Sequence, residues 1–338
     1  MERKLASIQK VLDIQPIPGA DAIEVLTILG WKVVGKKGEF KVGDLVVYCE
    51  VDSILPDEPE FEFFRKNHFR IKTIKLRGQV SQGITFPLSI LDGHAELPHD
   101  PYAEGDDVTA LLNITKYEVY IPAQLAGIVK GNFPEFLHKT DEMRIQAVPE
   151  LLFKHQGKKF YVTEKVDGSS MTVYLKDGEF GVCSRNLELK ETEGNAFWKT
   201  ARALDLENKL RGFHLNLGLQ GELVGPGVQG NKYKLNKLNF FVFNVCSVET
   251  GLALSYADFN HVVTTLGLTS VPLVGLNYTL PSTIDEIVFY SKASSVLNKD
   301  VHREGIVLRP LIEEYEEILR GRLSFKCINP DFLLKYNE

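Results

Sequence analysis

The residues with the clearest chemical potential lie in the stretch 164–170, which contains Lys165 and Asp167. Apolar segments at 160–162 and 171–175 flank this stretch and are typical of strands. A lysine between two apolar strands is unusual, because an ammonium group is costly to bury without a partner. Once deprotonated, such a lysine can attack phosphorus and form a phosphoramidate. The alternative is a hairpin with an Asp-Gly turn, in which the lysine stem is buried and its amine reaches solvent.

A lysine that attacks a nucleotide needs partners, and the chain supplies them in one order after Lys165. A free lysine has a pKa near ~10.4, so its neighbours must favour the amine at neutral pH. Negative charge accumulates on the transferring phosphate, which calls for cations and for carboxylates that bind metal. A base needs an aromatic ring beside it. The residues of these types in strand-like segments, or directly after one, are Arg185, Glu222, Phe241, Phe243, Glu304 and Lys326.

Each of these residues also has a purely structural interpretation. Arg185 can be a surface charge, and the phenylalanines of the segment 240–245 can belong to the core. Glu222 and Glu304 can lie at solvated strand ends, and Lys326 can extend its amine to solvent. The series as a whole favours chemistry, because three charged residues enter apolar strands at a free-energy cost that requires partners.

The series resembles the motifs of ATP-dependent RNA ligases, which are members of the covalent nucleotidyltransferase superfamily. A β-rich segment before the motifs points to the branch that carries an OB domain first. The resemblance covers nearly the whole chain. The similar segments are motif I at 165–168, motif Ia at 184–186, motif III at 221–223, motif IIIa at 240–245, motif IV at 304–307 and motif V at 324–326.

The resemblance implies an enzyme that uses ATP and a divalent metal, Mg²⁺ or Mn²⁺, to join a 3′-hydroxyl to a 5′-phosphate. Its partner is RNA or a nicked duplex that contains RNA, and nick sealing in RNA repair is the expected role. The implied roles are the adenylated nucleophile for Lys165, nucleotide contacts for Glu164 and Arg185, ribose contact for Glu222, adenine stacking for Phe243, metal binding for Asp167 and Glu304, and catalytic contact with the α-phosphate for Lys326.

One position departs from the family pattern. Many relatives have a lysine at the first position of motif V, where this chain has Ser324. The sequence leaves open which residue supplies the second positive charge, and Arg322 is one option.

The segments that must position these residues predict an α+β chain with two domains. Residues 126–338 are expected to form the nucleotidyltransferase domain, with antiparallel sheets flanked by helices. Strand composition recurs at 179–184, 217–224, 240–248, 305–309 and 323–328. Helical spacing occurs at 196–209, 256–266 and 283–298, and a helix start signal occurs at Thr140.

Residues 1–103 predict an OB-like β-barrel that binds nucleic acid, because about five short strands alternate with glycine-rich corners. Strands are expected at 5–14, 23–34 and 45–49, and near 84–86. The segment 69–77 alternates apolar and basic residues, which is typical either of a solvated strand face or of a surface that follows a polynucleotide backbone. Residues 104–125 are expected to be a connector, with the domain boundary near Ala126. The basic residues proposed to bind nucleic acid are Arg70, Lys72, Lys75 and Arg77.

Composition sets the remaining expectations. The chain has 338 residues, 44% of them hydrophobic and 25% charged, which is ordinary for a globular protein. The net charge of −6 excludes a generally basic nucleic-acid coat, so RNA contact must come from local patches. No segment has the ~18 uninterrupted apolar residues of a membrane span. The four cysteines are far apart, so disulfides and structural zinc are not expected. The protein is expected to be a monomer in the cytoplasm.

Three alternatives remain open at this point. A DNA ligase or an RNA-capping guanylyltransferase shares the motifs, but such enzymes usually carry an OB domain after motif V. A catalytically silent nucleic-acid-binding protein is the third. A dinucleotide fingerprint also occurs at 225–230, but the segment after it does not open an amphipathic helix, so a Rossmann site is disfavoured.

Overall fold

The first part of the chain is a five-stranded antiparallel sheet in the order β3-β2-β1-β4-β8. The computed structural model describes residues 3–92, 94, 102–117 and 128–337. The long strand β1 pairs with β2 on one side and with β4 on the other, so one curled sheet encloses a single core. The strands here are β1 (Ala6–Pro16), β2 (Ile23–Ile28), β3 (Trp31–Lys36), β4 (Leu45–Cys49), β5 (Ser53–Ile54), β6 (Ile74–Leu76), β7 (Gln79–Ser81), β8 (Ile84–Pro87) and β9 (Thr115–Lys116).

The segment expected to be one strand at 23–34 is instead the hairpin β2–β3. Leu29 has φ 51°, in the left-handed region, and Gly30 completes the turn. The amide of Gly30 donates to the carbonyl of Gln146 at 2.9 Å, which joins the first domain to the second. A Cβ at Gly30 would lie 2.8 Å from the Cα of Gln146, so only glycine permits this approach.

The expectation of one basic strand at 69–77 is wrong. Only Ile74–Leu76 forms a strand, β6, which pairs with β7 in a separate small hairpin. Arg70 ion-pairs with Asp52 at 3.4 Å, and its guanidinium lies 3.5 Å from the ring centroid of Tyr117. Lys75 is exposed on β6, and Arg77 is exposed in the turn after it, with φ 48°. The four basic residues therefore do not share one strand face.

The described part of the expected connector packs onto the first domain. Val108, Leu112 and Ile114 are buried in the same core as Trp31. Strand β9 pairs with β5, which fixes the chain up to residue 116 against the first sheet. The boundary expected near Ala126 lies outside the described residues. We propose that the first domain extends to at least residue 117.

The second part contains two larger sheets. A seven-stranded sheet has the order β10-β15-β14-β13-β16-β17-β18, and a five-stranded sheet has the order β11-β23-β20-β12-β19. All pairs are antiparallel except β17 with β18 and β11 with β23. The strands are β10 (Val129–Asn132), β11 (Met143–Arg144), β12 (Lys159–Lys165), β13 (Ser169–Lys176), β14 (Glu179–Cys183), β15 (Leu187–Leu189), β16 (Leu217–Val224), β17 (Asn239–Ser247), β18 (Thr269–Ser270), β19 (Leu273–Thr279), β20 (Gly305–Pro310), β21 (Tyr315–Glu316), β22 (Gly321–Arg322) and β23 (Phe325–Ile328).

Helices flank these sheets, and three differ from expectation. The helix expected at 283–298 ends at Ser291. The helix expected at 196–209 is two helices, because Asp205 between them has φ 53°. The start signal at Thr140 is wrong, since the chain there enters β11 and then a 3₁₀ turn. The α-helices are α1 (Glu150–Lys154), α2 (Ala196–Ala203), α3 (Leu206–Gly212), α4 (Tyr256–Thr265), α5 (Ile284–Ser291) and α6 (Pro330–Tyr336), and the 3₁₀ helices are Pro59–Asn67, Leu88–Leu91, Ile145–Ala147 and Gln229–Asn231.

Strand alternation assigns one face of the five-stranded sheet to the core and the other to a cleft. Phe160 and Val162 of β12 pack with Ile306 and Leu308 of β20 in a buried cluster. The intervening residues of β12, which end at Lys165, therefore point to the opposite face. Helices α2, α3 and α4 cover the outer side of the seven-stranded sheet. The inner faces of the two sheets meet in a cleft with charged walls.

Three further features noted in the sequence can be described from the structure. The four cysteines are buried and free. No helix within the described ranges is long and apolar enough to cross a membrane. The glycines at 225–230 lead into a 3₁₀ turn after an antiparallel strand, so they do not form a dinucleotide-binding unit.

Candidate active site

Lys165 ends β12 at the mouth of the cleft, opposite Gly305 of β20. Its Nζ donates to Oε1 of Glu304 at 2.6 Å. Burial alone would lower the pKa of Lys165, but the carboxylates of Glu304 and Glu222 outweigh it and raise the pKa above its usual value. The lysine is therefore protonated in the unliganded chain. Loss of its proton is favoured only when another positive charge neutralises these carboxylates.

Gly168 lets motif I turn tightly against β16. A Cβ there would lie 2.4 Å from the carbonyl oxygen of Leu223 and 2.9 Å from Cγ of Glu222. The φ of Gly168 does not lie in the left-handed region. The glycine is therefore needed for the close approach and not for an unusual backbone conformation. The turn brings Lys165 of the five-stranded sheet close to Glu222 of the seven-stranded sheet.

Three carboxylates lie around Lys165, namely Asp167, Glu222 and Glu304. Burial, with the nearby Glu304 carboxylate, raises the pKa of Asp167 to about 6. Burial raises the pKa of Glu222 to about 8, although Lys165 opposes the shift. Asp167 forms an ion pair with Lys232 at 3.0 Å, and its amide donates to the Tyr233 hydroxyl at 2.8 Å. These carboxylates repel one another, so a cation beside them is favoured.

One atom shows that a divalent cation fits here. Oε2 of Glu304 is buried and has no hydrogen-bond partner within the part of the chain that the structure describes. Hard carboxylate oxygens are the ligands that Mg²⁺ and Mn²⁺ prefer. Among the described residues, no three His, Cys, Asp or Glu side chains form a ready cluster for a metal. The roles of Asp167 and Glu304 as metal ligands remain predictions.

Cations lie on the same face of the five-stranded sheet as Lys165. Lys326 of β23 lies in register with Val307 of β20 and with Arg144 of β11. Its Nζ donates to Asp141 Oδ1 at 3.2 Å, and Arg185 donates to Asp141 Oδ2 at 2.8 Å. Burial lowers the pKa of Lys326 by more than the Asp141 carboxylate raises it. Lys165 contributes to the lowering, which shows that both amines share one electrostatic environment.

Arg309 lies beside Ser324 in space. Ser324 is the motif V position at which the family pattern has a lysine. Its Nε donates to the Ser324 hydroxyl at 3.1 Å, and its Nη2 donates to Glu142 at 2.6 Å. Its Nη1 donates to the carbonyl of Phe243 at 2.7 Å, which joins the two sheets at the floor of the cleft. Arg322, the option raised by the sequence, instead binds Glu313 and Asn244.

Glu164 is not brought to this cleft face. It lies opposite Ile306 in the pairing of β12 with β20, so it shares the face of the buried core. Its carboxylate accepts from the Ser295 hydroxyl and from the amide of Val296 at 2.8 Å. Its role in nucleotide binding remains a prediction, as do the roles of the other cleft residues.

The comparisons with known proteins agree with this geometry. An RNA ligase family model matches residues 158–328, and an OB-fold domain model matches residues 5–88. A solved structure of an apo mutant of Naegleria gruberi RNA ligase is 38% identical, with a TM-score of 0.88 over 99% of this chain and 98% of that one. This chain belongs to the RNA ligase family. The expected α+β fold with an N-terminal OB domain is thereby confirmed.

Two more structures of Naegleria gruberi RNA ligase are similar to this RNA ligase. One, with PPi, is 39% identical, with a TM-score of 0.88 over 99% of both chains. The other, a mutant with ATP and Mn, is 38% identical, with a TM-score of 0.86 over 98% of both chains. A comparison with curated protein sequences gives no significant match.

The sequence did not single out several residues that contact the cleft of this RNA ligase. Asp141 and Glu142 directly follow the predicted helix start at Thr140, yet they bind Lys326 and Arg309. Lys116, in the expected connector, lies 3.7 Å from Asp141. The only sequence signal for this group was Ser324, because the missing lysine implies another cation nearby.

We predict that the unliganded RNA ligase becomes less stable as the pH rises from about 5 to about 8. The pKa of Glu222 is about 8 in the folded chain, above the ordinary value of a glutamate. The folded state therefore binds more protons than the unfolded state in this window, and stability falls until Glu222 is ionised. Chemical denaturation without metal or nucleotide should show a shallower pH dependence for Glu222→Gln than for the wild type.

Glu191→Gln is the matched control for this prediction. Glu191 is exposed and pairs with Arg202, which lowers its pKa, so its titration lies below the window. Its variant should keep the wild-type pH dependence. Equal slopes for the wild type and Glu222→Gln would contradict the raised pKa.

Proposed function

We propose that this RNA ligase joins 3′-hydroxyl and 5′-phosphate RNA ends through a lysyl-AMP intermediate on Lys165, with nicks in duplex RNA as its substrate. The observation that carries the proposal is the position of Lys165. It lies in the cleft between two sheets, is paired with Glu304 at 2.6 Å, and shares a face and an electrostatic environment with Lys326. A structural lysine needs no such surroundings.

In the first step, Nζ of Lys165 attacks the α-phosphorus of ATP. A phosphoramidate bond forms, the bond to the β-phosphate oxygen breaks, and pyrophosphate leaves with the electron pair. The lysine must lose its protons, and Glu304 Oε1, which already accepts the hydrogen bond from Nζ, is placed to take the first. Lys326 and Arg185 stabilise the negative charge that develops on the α-phosphate.

A divalent cation fits beside Glu304 and Asp167, where it would lower the pKa of Lys165 and stabilise charge on the phosphate. Solved structures of the Naegleria gruberi ligase contain ATP or AMP together with Mn, which supports the same requirement here. The carboxylates hold Lys165 protonated until that charge is neutralised. Deprotonation of Lys165 is therefore coupled to the arrival of the nucleotide together with its divalent cation.

The cleft walls also suit the rest of the nucleotide. Phe243 is half-buried on the inner face of β17, and Arg309 holds its carbonyl, so the ring is positioned to stack on a base. Glu222 is directed into the cleft beside Lys165 and can accept from a ribose hydroxyl. We assign these two residues to adenine and ribose.

The later steps transfer AMP and then seal the ends. A 5′-phosphate oxygen of the RNA attacks the lysyl-AMP phosphorus, which breaks the P–N bond and returns the amine to Lys165. The 3′-hydroxyl then attacks the activated 5′-phosphate, a phosphodiester forms, and AMP leaves. The first domain is proposed to hold the RNA, with Lys75 and Arg77 exposed on one small hairpin, Lys72 half-buried before it and Arg70 beside Tyr117.

The test is sealing of a nicked RNA duplex with ATP and Mg²⁺ or Mn²⁺. We expect ligation with a 5′-phosphate and none with a 5′-hydroxyl, because AMP must be transferred to the phosphate. Replacing ATP by GTP tests the capping alternative, and a nicked DNA duplex tests the DNA ligase alternative. Sealing of DNA in preference to RNA, or an adduct with GTP alone, would contradict the proposal. Absence of any adduct would favour the catalytically silent alternative.

A further inference from the structure

The carboxylate of Asp141 gathers cations from three separate parts of the chain. Lys326 approaches from β23 at 3.2 Å, Arg185 from the turn after β14 at 2.8 Å, and Lys116 from β9 of the first domain at 3.7 Å. Burial would raise the pKa of Asp141, but Lys326 and Arg185 outweigh it and hold the pKa well below its usual range. Asp141 is therefore an anion whenever the cleft is unliganded.

Stability does not account for this cluster. The side chains of Asp141 and Arg185 are 49% and 59% exposed, and exposed ion pairs contribute only ~0–1 kcal/mol to folding. Asp141 lies outside any strand or helix, just before β11. Pairing of β11 with β23, in which Arg144 lies opposite Lys326, holds Asp141 beside the cleft. The fold thus presents a carboxylate to the two cations that the proposed function assigns to phosphate.

A carboxylate and a phosphate use the same donors. Both accept charge-assisted hydrogen bonds from arginine and lysine, with similar oxygen geometry. One set of donors cannot bind both anions fully. We propose that Asp141 is an internal competitor of phosphate, which occupies Lys326 and Arg185 until the phosphate of a nucleotide or of an RNA 5′ end displaces it.

This inference rests on the proposed function, since it takes Lys326 and Arg185 as phosphate contacts. The inference differs from its rivals in the direction in which the affinity for phosphate changes. Removal of a competitor strengthens phosphate binding, whereas removal of a group that orients Lys326 weakens it. The exchange replaces an exposed ion pair with Arg185 and a partly buried one with Lys326, so Asp141→Asn should lower the Kd for a phosphate ligand about two- to tenfold.

The experiment measures binding of AMP and of adenosine by calorimetry, to protein freed of covalent nucleotide with pyrophosphate. Asp141→Asn should bind AMP more tightly than the wild type and adenosine equally, because only AMP carries the competing phosphate. A second arm compares an RNA oligonucleotide with a 5′-phosphate against the same oligonucleotide with a 5′-hydroxyl. Gain of affinity in one arm alone identifies which phosphate Asp141 excludes.

Matched variants separate the inference from its rivals. Asp57→Asn removes a carboxylate that pairs with Arg65 on the first domain, and should change neither affinity. In a Lys326→Ala background, Asp141→Asn should give a smaller gain, because one of its two close partners is gone. Equal unfolding midpoints for Asp141→Asn and the wild type confirm that the variant is folded.

Weaker AMP binding by Asp141→Asn would overturn the inference and make Asp141 a positioning residue for Lys326. Unchanged binding in both arms would also overturn it, since no competition would exist. Equal affinity of the wild type for AMP and adenosine would instead contradict the proposed role of Lys326 and Arg185. Failure of the inference and failure of the proposed function are therefore distinguishable.

Discussion

Replacement of Lys165 by alanine is expected to abolish the covalent AMP adduct and all sealing of unactivated ends. The reason is chemical, because no other amine in the described cleft occupies the end of β12 beside Glu304. Lys326, on the same face of the sheet, is held by Asp141, and Lys232 is held by Asp167. Gel analysis with α-labelled ATP measures the adduct directly.

Pre-adenylated RNA provides the control for this variant. The last step does not need the lysine as a nucleophile, so Lys165→Ala should still join ends whose 5′-phosphate already carries AMP. Lys130→Ala removes an exposed lysine that pairs with Glu179 and Glu188, and should leave the adduct unchanged. An adduct in Lys165→Ala protein would refute the assignment of the nucleophile.

Replacement of Lys326 by alanine is expected to reduce the rate of adenylation by ~10²-fold or more. Loss of one oriented donor that faces charge developing in the transition state has typically this effect. Lys326 is preorganised for that task, since β23 is paired on both sides, with β20 and with β11. Single-turnover kinetics at saturating ATP isolate the chemical step from ATP binding.

Lys292→Ala is a matched control for Lys326→Ala. Lys292 follows α5 and lies 3.7 Å from Asp331, so its removal deletes a lysine that is not assigned to ATP. Its adenylation rate should stay near that of the wild type. A wild-type rate in Lys326→Ala would show that this lysine is only a structural residue and that motif V is misplaced.

The sequence predicted that several polar residues would lie together because its signals are local. Lys165 and Glu222 are polar residues of strands that bury their neighbours, and strand alternation directs both to the cleft, whereas Glu304 directly precedes β20. β16 was predicted at its observed bounds, Leu217–Val224, for the same reason. The order of the motifs predicted which other residues lie nearby, because the strands that carry the motifs all border one cleft.

The parts that the sequence missed depend on contacts between distant residues. Arg309 lies opposite Ser324 only because β20 and β23 pair in one register, and no local pattern reveals this pairing. A helix start was predicted at Thr140, just before Asp141, but the parallel pairing of β11 with β23 overrides that propensity. Glu164, directly before motif I, was assigned to the nucleotide, although alternation already placed it on the face opposite Lys165.

The first domain shows a further limit of local reading. Alternating basic residues predicted one strand at 69–77, yet the chain passes through extended coil into the small hairpin β6–β7. Arg70 is used for an ion pair with Asp52, which also binds Arg144 of the second domain at 2.7 Å. Such pairing across domains leaves no trace in the local sequence pattern.

The central claim is that Lys165 carries AMP during the reaction. The most direct measurement is mass spectrometry of protein incubated with ATP and Mn²⁺, first intact and then as proteolytic peptides. We predict one AMP per chain, located on Lys165, which pyrophosphate removes and which nicked RNA with a 5′-phosphate discharges. AMP on a different residue, or ATP-dependent sealing without any covalent nucleotide, would contradict the account.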